Sequence, residues 1–85
     1  MVKVEWTSKA IEDLHKLDDL VASRIIRKIG WFADNFEKIN PEPLTGELKG
    51  MFKLRIGDWR VIYHIEKDVA VIHFIGHRRE IYEVK

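Results

Sequence analysis

The sequence predicts an α+β fold of order β-α-α-β-β-β, with an αα-hairpin packed on one face of a mostly antiparallel sheet. Three observations predict it. Apolar residues recur at helical spacing through the first half, as far as Phe36. They recur at spacing two through "FKLRIGDWRVIYHIEKDVAVIHFI", residues 52–75. Between these halves lies one loop, "NPEPLTGELKG", which holds both prolines and two of the five glycines. At 85 residues the chain suffices for a single domain, 1–85, around one core.

The elements follow in order. "VKVEW" alternates apolar and polar residues and is a first strand, 2–6. Thr7 or Ser8 caps a helix running to about Leu17, with Ile11, Leu14 and Leu17 as its apolar stripe. Asp18 caps a longer helix, about 19–36. Val21, Ile25, Ile29, Phe32 and Phe36 share one face of it, widened by Ala22, Ile26 and Ala33. Gly30 costs about 1 kcal/mol relative to Ala inside a helix, and a close helix–helix crossing would account for it. Strands follow at about 51–56, 59–66 and 69–76, joined by Gly57-Asp58 and Lys67-Asp68. Gly at the first turn position suits a type II′ hairpin.

Two-residue loops fix the registers: 55 opposite 60 and 53 opposite 62, then 65 opposite 70, 63 opposite 72 and 61 opposite 74. Phe52, Leu54, Ile56, Trp59, Val61, Tyr63, Ile65, Ala70, Ile72 and Phe74 then share one face, which covers the helices. The other face holds Met51, Lys53, Arg55, Arg60, Ile62, His64, Val71, His73, Ile75 and His77. Arg55 and Arg60 face each other, an arrangement that destabilises a sheet. Glu66, far along its strand, is the only carboxylate on this face, so the counter-ion is expected from outside the chain.

Composition narrows the function classes. The chain is 46% hydrophobic with nine aromatic residues, which is not a disordered composition. It has no cysteine, which excludes disulfides and thiolate metal sites and fits a cytoplasmic location. No apolar run approaches the ~20 residues of a membrane span, and the N-terminus lacks the apolar region of a signal peptide. His64, His73 and His77 share the open face, but spacing along and across strands is expected to keep them several ångströms apart, so neither metal nor other cofactor is expected. Net charge is only +1. Distribution matters more: Lys49, Lys53, Arg55 and Arg60 cluster with Asp58 alone opposing them.

That cluster is the candidate anion site, because the planar fork of Arg suits bidentate contact with phosphate oxygens. The C-terminal "GHRREIYEVK" returns to the same end of the sheet and adds His77, Arg78, Arg79 and Tyr82. Such a group suits phosphodiester chemistry: cations stabilise charge on a pentavalent phosphorus, and Tyr or His moves protons. Arg24, Arg27 and Lys28 on the second helix are expected to be a solvated face.

The element order, with "LKGMFKLRIGDWRVIYHI" and "IGHRREIY", resembles the RelE/ParE superfamily of toxin–antitoxin toxins over nearly the whole chain. "AIEDLHKLD" is also typical of it. The resemblance implies a small cytoplasmic toxin held inactive by a cognate acidic antitoxin, meeting operator DNA only through that antitoxin and no membrane. Its RelE branch cleaves mRNA on the ribosome without a metal, the ribose 2′-OH attacking the adjacent phosphate. Carried over by resemblance, Lys53 takes an acid/base or transition-state role and Arg55 stands where a second lysine is common. Arg60 stabilises phosphate. Arg78 stabilises phosphate or protonates the leaving oxygen, and Tyr82 is a general base or stacking residue. Lys49 and Arg79 contact RNA. Strict alternation points His77, not Arg78, onto the cationic face. Either a bulge at Gly76 turns Arg78 inward or His77 serves as acid or base. Two other functions fit the resemblance: a ParE-like inhibitor of DNA gyrase that cuts nothing, and a non-toxic antitoxin-binding co-repressor. Exposed Met51, Ile62 and Ile75 beside the cations would suit an acidic and apolar antitoxin segment.

Overall fold

A computed structural model describes the backbone of residues 1–83 and the side chains of residues 1–81. Strand β1 (Lys3–Trp6) leads into helices α1 (Ser8–His15) and α2 (Asp19–Asp34). A two-residue strand, β2 (Glu42–Pro43), precedes β3 (Phe52–Ile56), β4 (Trp59–Glu66), β5 (Val69–His77) and a short helix, α3 (Arg78–Glu83). The sheet order is β1-β5-β4-β3-β2; β1 runs parallel to β5 and the other pairs are antiparallel. This is the expected α+β arrangement, extended by β2 at one edge and α3 at the end of the chain. No helix among the described residues is long and apolar enough to cross a membrane.

Local chemistry sets the helix starts. The Thr7 hydroxyl accepts from Ala10 N at 3.1 Å, and the Asp18 carboxylate accepts from Leu20 N at 3.1 Å. The core lies between α2 and the sheet: Ile25, Ile29 and Phe32 meet Ile56, Val61, Tyr63, Ala70, Ile72 and Ile75. Phe32 packs edge-on against Tyr63 with ring centroids 4.9 Å apart. Three helix expectations are corrected. Ile11 and Ile26 are exposed; α1 buries Ala10 and Asp13 instead of Ile11, while α2 buries Ala33 as expected. Gly30 is exposed, and a Cβ built there meets nothing within 4 Å, so no helix crossing explains it.

The first hairpin follows the expected register, with Arg55 opposite Arg60. Gly57 has φ +60° and Asp58 a negative φ, the signature of a II′ turn. The second hairpin begins as expected, Ile65 opposite Ala70 and Tyr63 opposite Ile72, and then shifts. One extra residue, His73, bulges out of β5, so Ile62 faces Phe74 and Val61 faces Ile75. Phe74 is therefore not on the core face, and Ile75 and His77 are not on the open one. Both Phe74 and Ile75 are large and apolar, so alternation did not discriminate between the registers.

The bulge lies where β5 loses a neighbour. β1 ends at Trp6, opposite Ile72, and α1 then serves the exposed edge of β5. Thr7 N donates to Ile72 O at 3.0 Å and the Thr7 hydroxyl to His73 O at 2.9 Å. The carboxylate of Asp13, itself buried, accepts from Ile75 N at 3.0 Å. Lys9 pairs with the same carboxylate, and this hydrogen bond raises the Lys9 pKa.

Candidate anion site

Arg60 is the centre of the open face. Its side chain starts from the middle of a three-stranded segment, flanked by Arg55 on β3 and Gly76 on β5. Only 3% of the residue is exposed. Its Nη1 donates to Gly57 O and to Trp59 O, both at 2.9 Å, so half of the guanidinium braces the II′ turn. Its Nε is buried and has no hydrogen-bond partner. Among the described residues no carboxylate pairs with it. A buried guanidinium without a counter-ion is costly, and its unused donors suit an anion from outside the chain.

The neighbouring candidates divide into those the fold brings together and those it does not. Arg55 is Arg60's cross-strand partner, is exposed, and has no ion pair among the described residues. Lys53 shares their face, opposite Ile62, but is not without a carboxylate. Its Nζ lies 3.3 Å from the Glu42 carboxylate on β2, correcting the expectation of an acid-free face. Asp58 likewise approaches Arg78, at 3.9 Å from its Nε, and Arg78 N donates to Asp58 O at 2.8 Å. Glu42 lies between two prolines in what reads as a loop, and nothing in its spacing announced a strand. Lys49 is exposed, following a short 3₁₀ turn at Gly46–Leu48, on the far side of a groove from α3.

The bulge in β5 fixes the side of the sheet on which His77 lies. The bulge is at His73, not Gly76, and it inverts every later residue of β5. His77 therefore sits opposite Trp59 on the helix side, its ring edge-on to the indole with centroids 5.5 Å apart. Its Nδ1 accepts from Arg79 N at 3.3 Å, while its own N–H donates to the Glu80 carboxylate at 3.4 Å. This is a reciprocal capping box at the start of α3, with histidine in the place of Ser or Thr. The charged tail is thus a helix that folds back over the open face. Its Ile81 is buried, and a Cβ built on Gly76 would lie 3.0 Å from Ile81 Cδ1. Ile62 on the open face is fully buried and Ile75 belongs to the core, so neither is the exposed apolar residue expected for a partner. Arg79 is exposed. Tyr82 falls within α3, and its side chain lies outside the described residues.

Between α3 and the segment before β3 lies a groove of about 450 Å³, lined by Leu44, Leu48, Lys53 and Ile81 among others. His64 and His73 form a separate pair, correcting the expectation that they stand several ångströms apart: the bulge brings His73 Nε2 within 2.5 Å of His64 Nδ1. Burial, then the charge of His64, hold the His73 pKa below its usual value. Among the described residues no group of three or more His, Asp or Glu is placed to hold a metal ion.

Residues 4–82 match the model of the ParE toxin of the type II toxin–antitoxin system parDE. The chain belongs to the RelE/ParE superfamily of type II toxins. It is 33% identical over 85 residues to Toxin RelG of Mycobacterium tuberculosis, covering 93% of each chain. Among solved structures it resembles the toxin–antitoxin complex RelBE2 of M. tuberculosis, with a TM-score of 0.80 at 30% identity over 91% of this chain and 98% of that one. The isolated E. coli RelE toxin has a TM-score of 0.72 at 14% identity over the whole of both chains, a likeness of fold alone. This family membership makes the chain a toxin of a type II toxin–antitoxin system.

Proposed function

We propose that this toxin is a ribosome-dependent, metal-independent endoribonuclease that cleaves mRNA by attack of a ribose 2′-OH on the adjacent phosphate. The observation that carries the reading is the buried Arg60 guanidinium, which has no carboxylate partner among the described residues and is flanked by Arg55 and, at the next pair on the same face, Lys53. In this reading Arg60 and Arg55 hold the non-bridging oxygens and stabilise charge as phosphorus becomes pentavalent. Tyr82 or Lys53 takes the proton from the 2′-OH. The phosphorus–5′-oxygen bond breaks, the 5′-oxygen gains a proton from the side of Arg78, and a 2′,3′-cyclic phosphate remains. Arg78 rather than His77 completes the site in this reading, because His77 lies opposite Trp59 on the helix side while Arg78 opens α3 beside the Asp58 turn. His77 positions α3 through its cap. Lys49 and Arg79 contact RNA from the rim. A cognate antitoxin is the partner that disarms the site; relatives solved as toxin–antitoxin complexes support it.

Expression of the chain without antitoxin, followed by mapping of mRNA ends, tests this. Cleavage within translated messages is expected. Arg55→Ala, at an exposed position, is expected to reduce it at least tenfold in a protein that melts normally. Arg60→Lys keeps the charge and loses the fork, and is expected to abolish growth arrest. Full toxicity in both variants would sink the site. Intact mRNA with a DNA-damage response would assign the chain to gyrase inhibition instead, the alternative consistent with its match to the ParE model.

A further inference from the structure

The surface of α2 carries a second cationic feature that the site above does not use. Arg24 precedes Arg27 and Lys28 by three and four residues, and these precede Trp31 by four and three, so the four share one stripe of the helix. None of the three cations has an ion pair among the described residues. Like charges at this spacing destabilise a helix, and no acid here offsets them. Trp31 is 49% exposed, with Lys28 Nζ 4.1 Å above its ring. A solvated face needs neither an exposed indole nor charges of one sign.

Position gives the stripe its meaning. Arg24 reaches the II′ turn, its Nη1 4.0 Å from where a Cβ on Gly57 would lie. Lys28 and Trp31 line a groove of about 280 Å³ whose opposite wall includes Lys53, Leu54 and Arg55. The stripe therefore runs over the sheet edge into the cationic site. Glu42 also lines the groove, but its carboxylate pairs with Lys53. Asp34, one turn beyond Trp31, ends the stripe.

We propose that this α2 stripe is a track for the phosphodiester backbone of RNA, with Trp31 as a stacking platform for a base. The proposal rests on the RNA reading of the Arg60 site and extends it to a longer footprint. Cations tracking a backbone beside an exposed aromatic ring are how single strands are held without sequence preference. The exposed Trp31 ring favours RNA over an acidic segment of a protein partner, because a base stacks on an indole and a carboxylate does not.

The test compares the full chain with an Arg24→Gln/Arg27→Gln/Lys28→Gln triple variant and with Trp31→Leu. The probes are an unstructured 12-nucleotide RNA and protein-free ribosomal RNA, each titrated at several salt concentrations. For the triple variant, the slope of log affinity against log salt is expected to fall by about 2, from ~0.7 per lost contact to a single strand. Its affinity at moderate salt is expected to fall at least tenfold, with the melting temperature unchanged or raised. Trp31→Leu is expected to weaken binding about fivefold or more with the slope retained. A deficit on the oligonucleotide assigns the track to the message, and one on ribosomal RNA alone assigns it to the ribosome. Wild-type slopes in the triple variant on both probes, or no RNA binding by the parent chain, would overturn the proposal. So would lost antitoxin binding with unchanged RNA slopes. A parent chain that cleaves no mRNA yet shows the slope deficit would defeat the nuclease reading alone; normal cleavage without a deficit would defeat the track alone.

Discussion

Asp13→Ala tests how the chain carries β5 from its bulge to the site. Beyond Ile72 the outer edge of β5 has no strand beside it, and Ile75 N–H points at α1. Asp13 is its acceptor at 3.0 Å, and both residues are buried, at 8% and 7% exposure. Removing the carboxylate leaves a buried donor with no partner, which costs about 1–3 kcal/mol. For a domain of this size each kcal/mol lowers the melting temperature by about 4–8 °C, so a drop of roughly 5–20 °C is expected. Asp13→Asn keeps an acceptor oxygen and is expected to recover more than half of that loss. Lys9→Gln is expected to cost less than Asp13→Ala, because it leaves the hydrogen bond from Ile75 N to Asp13 in place and Gln still offers a donor to the carboxylate. Thermal denaturation measures the stability, and hydrogen exchange of the Ile75 amide locates the change. An Asp13→Ala protein melting within 2 °C of the parent, with Ile75 equally protected, would refute the reasoning.

Two further predictions concern the sheet. Lys67 opens the second hairpin turn with φ +57°, a left-handed conformation that costs a non-glycine residue roughly 1 kcal/mol. Lys67→Gly is therefore expected to raise the melting temperature by a few degrees, and a lower one would show that the turn chemistry is misread. The His73 pKa lies below 6.5, so the unfolded chain binds more protons than the folded one in mild acid. Stability is thus expected to be full above about pH 6.5, to fall as pH drops below it, and to level off once pH is below the folded value. His73→Gln should flatten this part of the profile in melts at pH 7.5 and 5, and an unchanged profile would clear His73 of the effect.

The sequence by itself determined the element types, the II′ turn and the confrontation of Arg55 with Arg60. A two-residue turn starts a hairpin in one register, and apolar residues at every second position from Phe52 to Ile72 give each strand one core face. The Arg pair of the candidate anion site was legible for that reason, because it follows from local chemistry alone. Tertiary structure decided what local patterns leave degenerate. Phe74 and Ile75 satisfy a buried position equally well, and only the end of β1 and the acceptors on α1 place the bulge at His73. That one residue moved His77 to the helix side and set Gly76 opposite Arg60. The pairings of Glu42 with Lys53, of Asp58 with Arg78, and of Arg60 with the turn carbonyls were equally hidden. Each joins chain segments whose separation in space no periodicity records, because a polar side chain's partner is set by where the packed elements end.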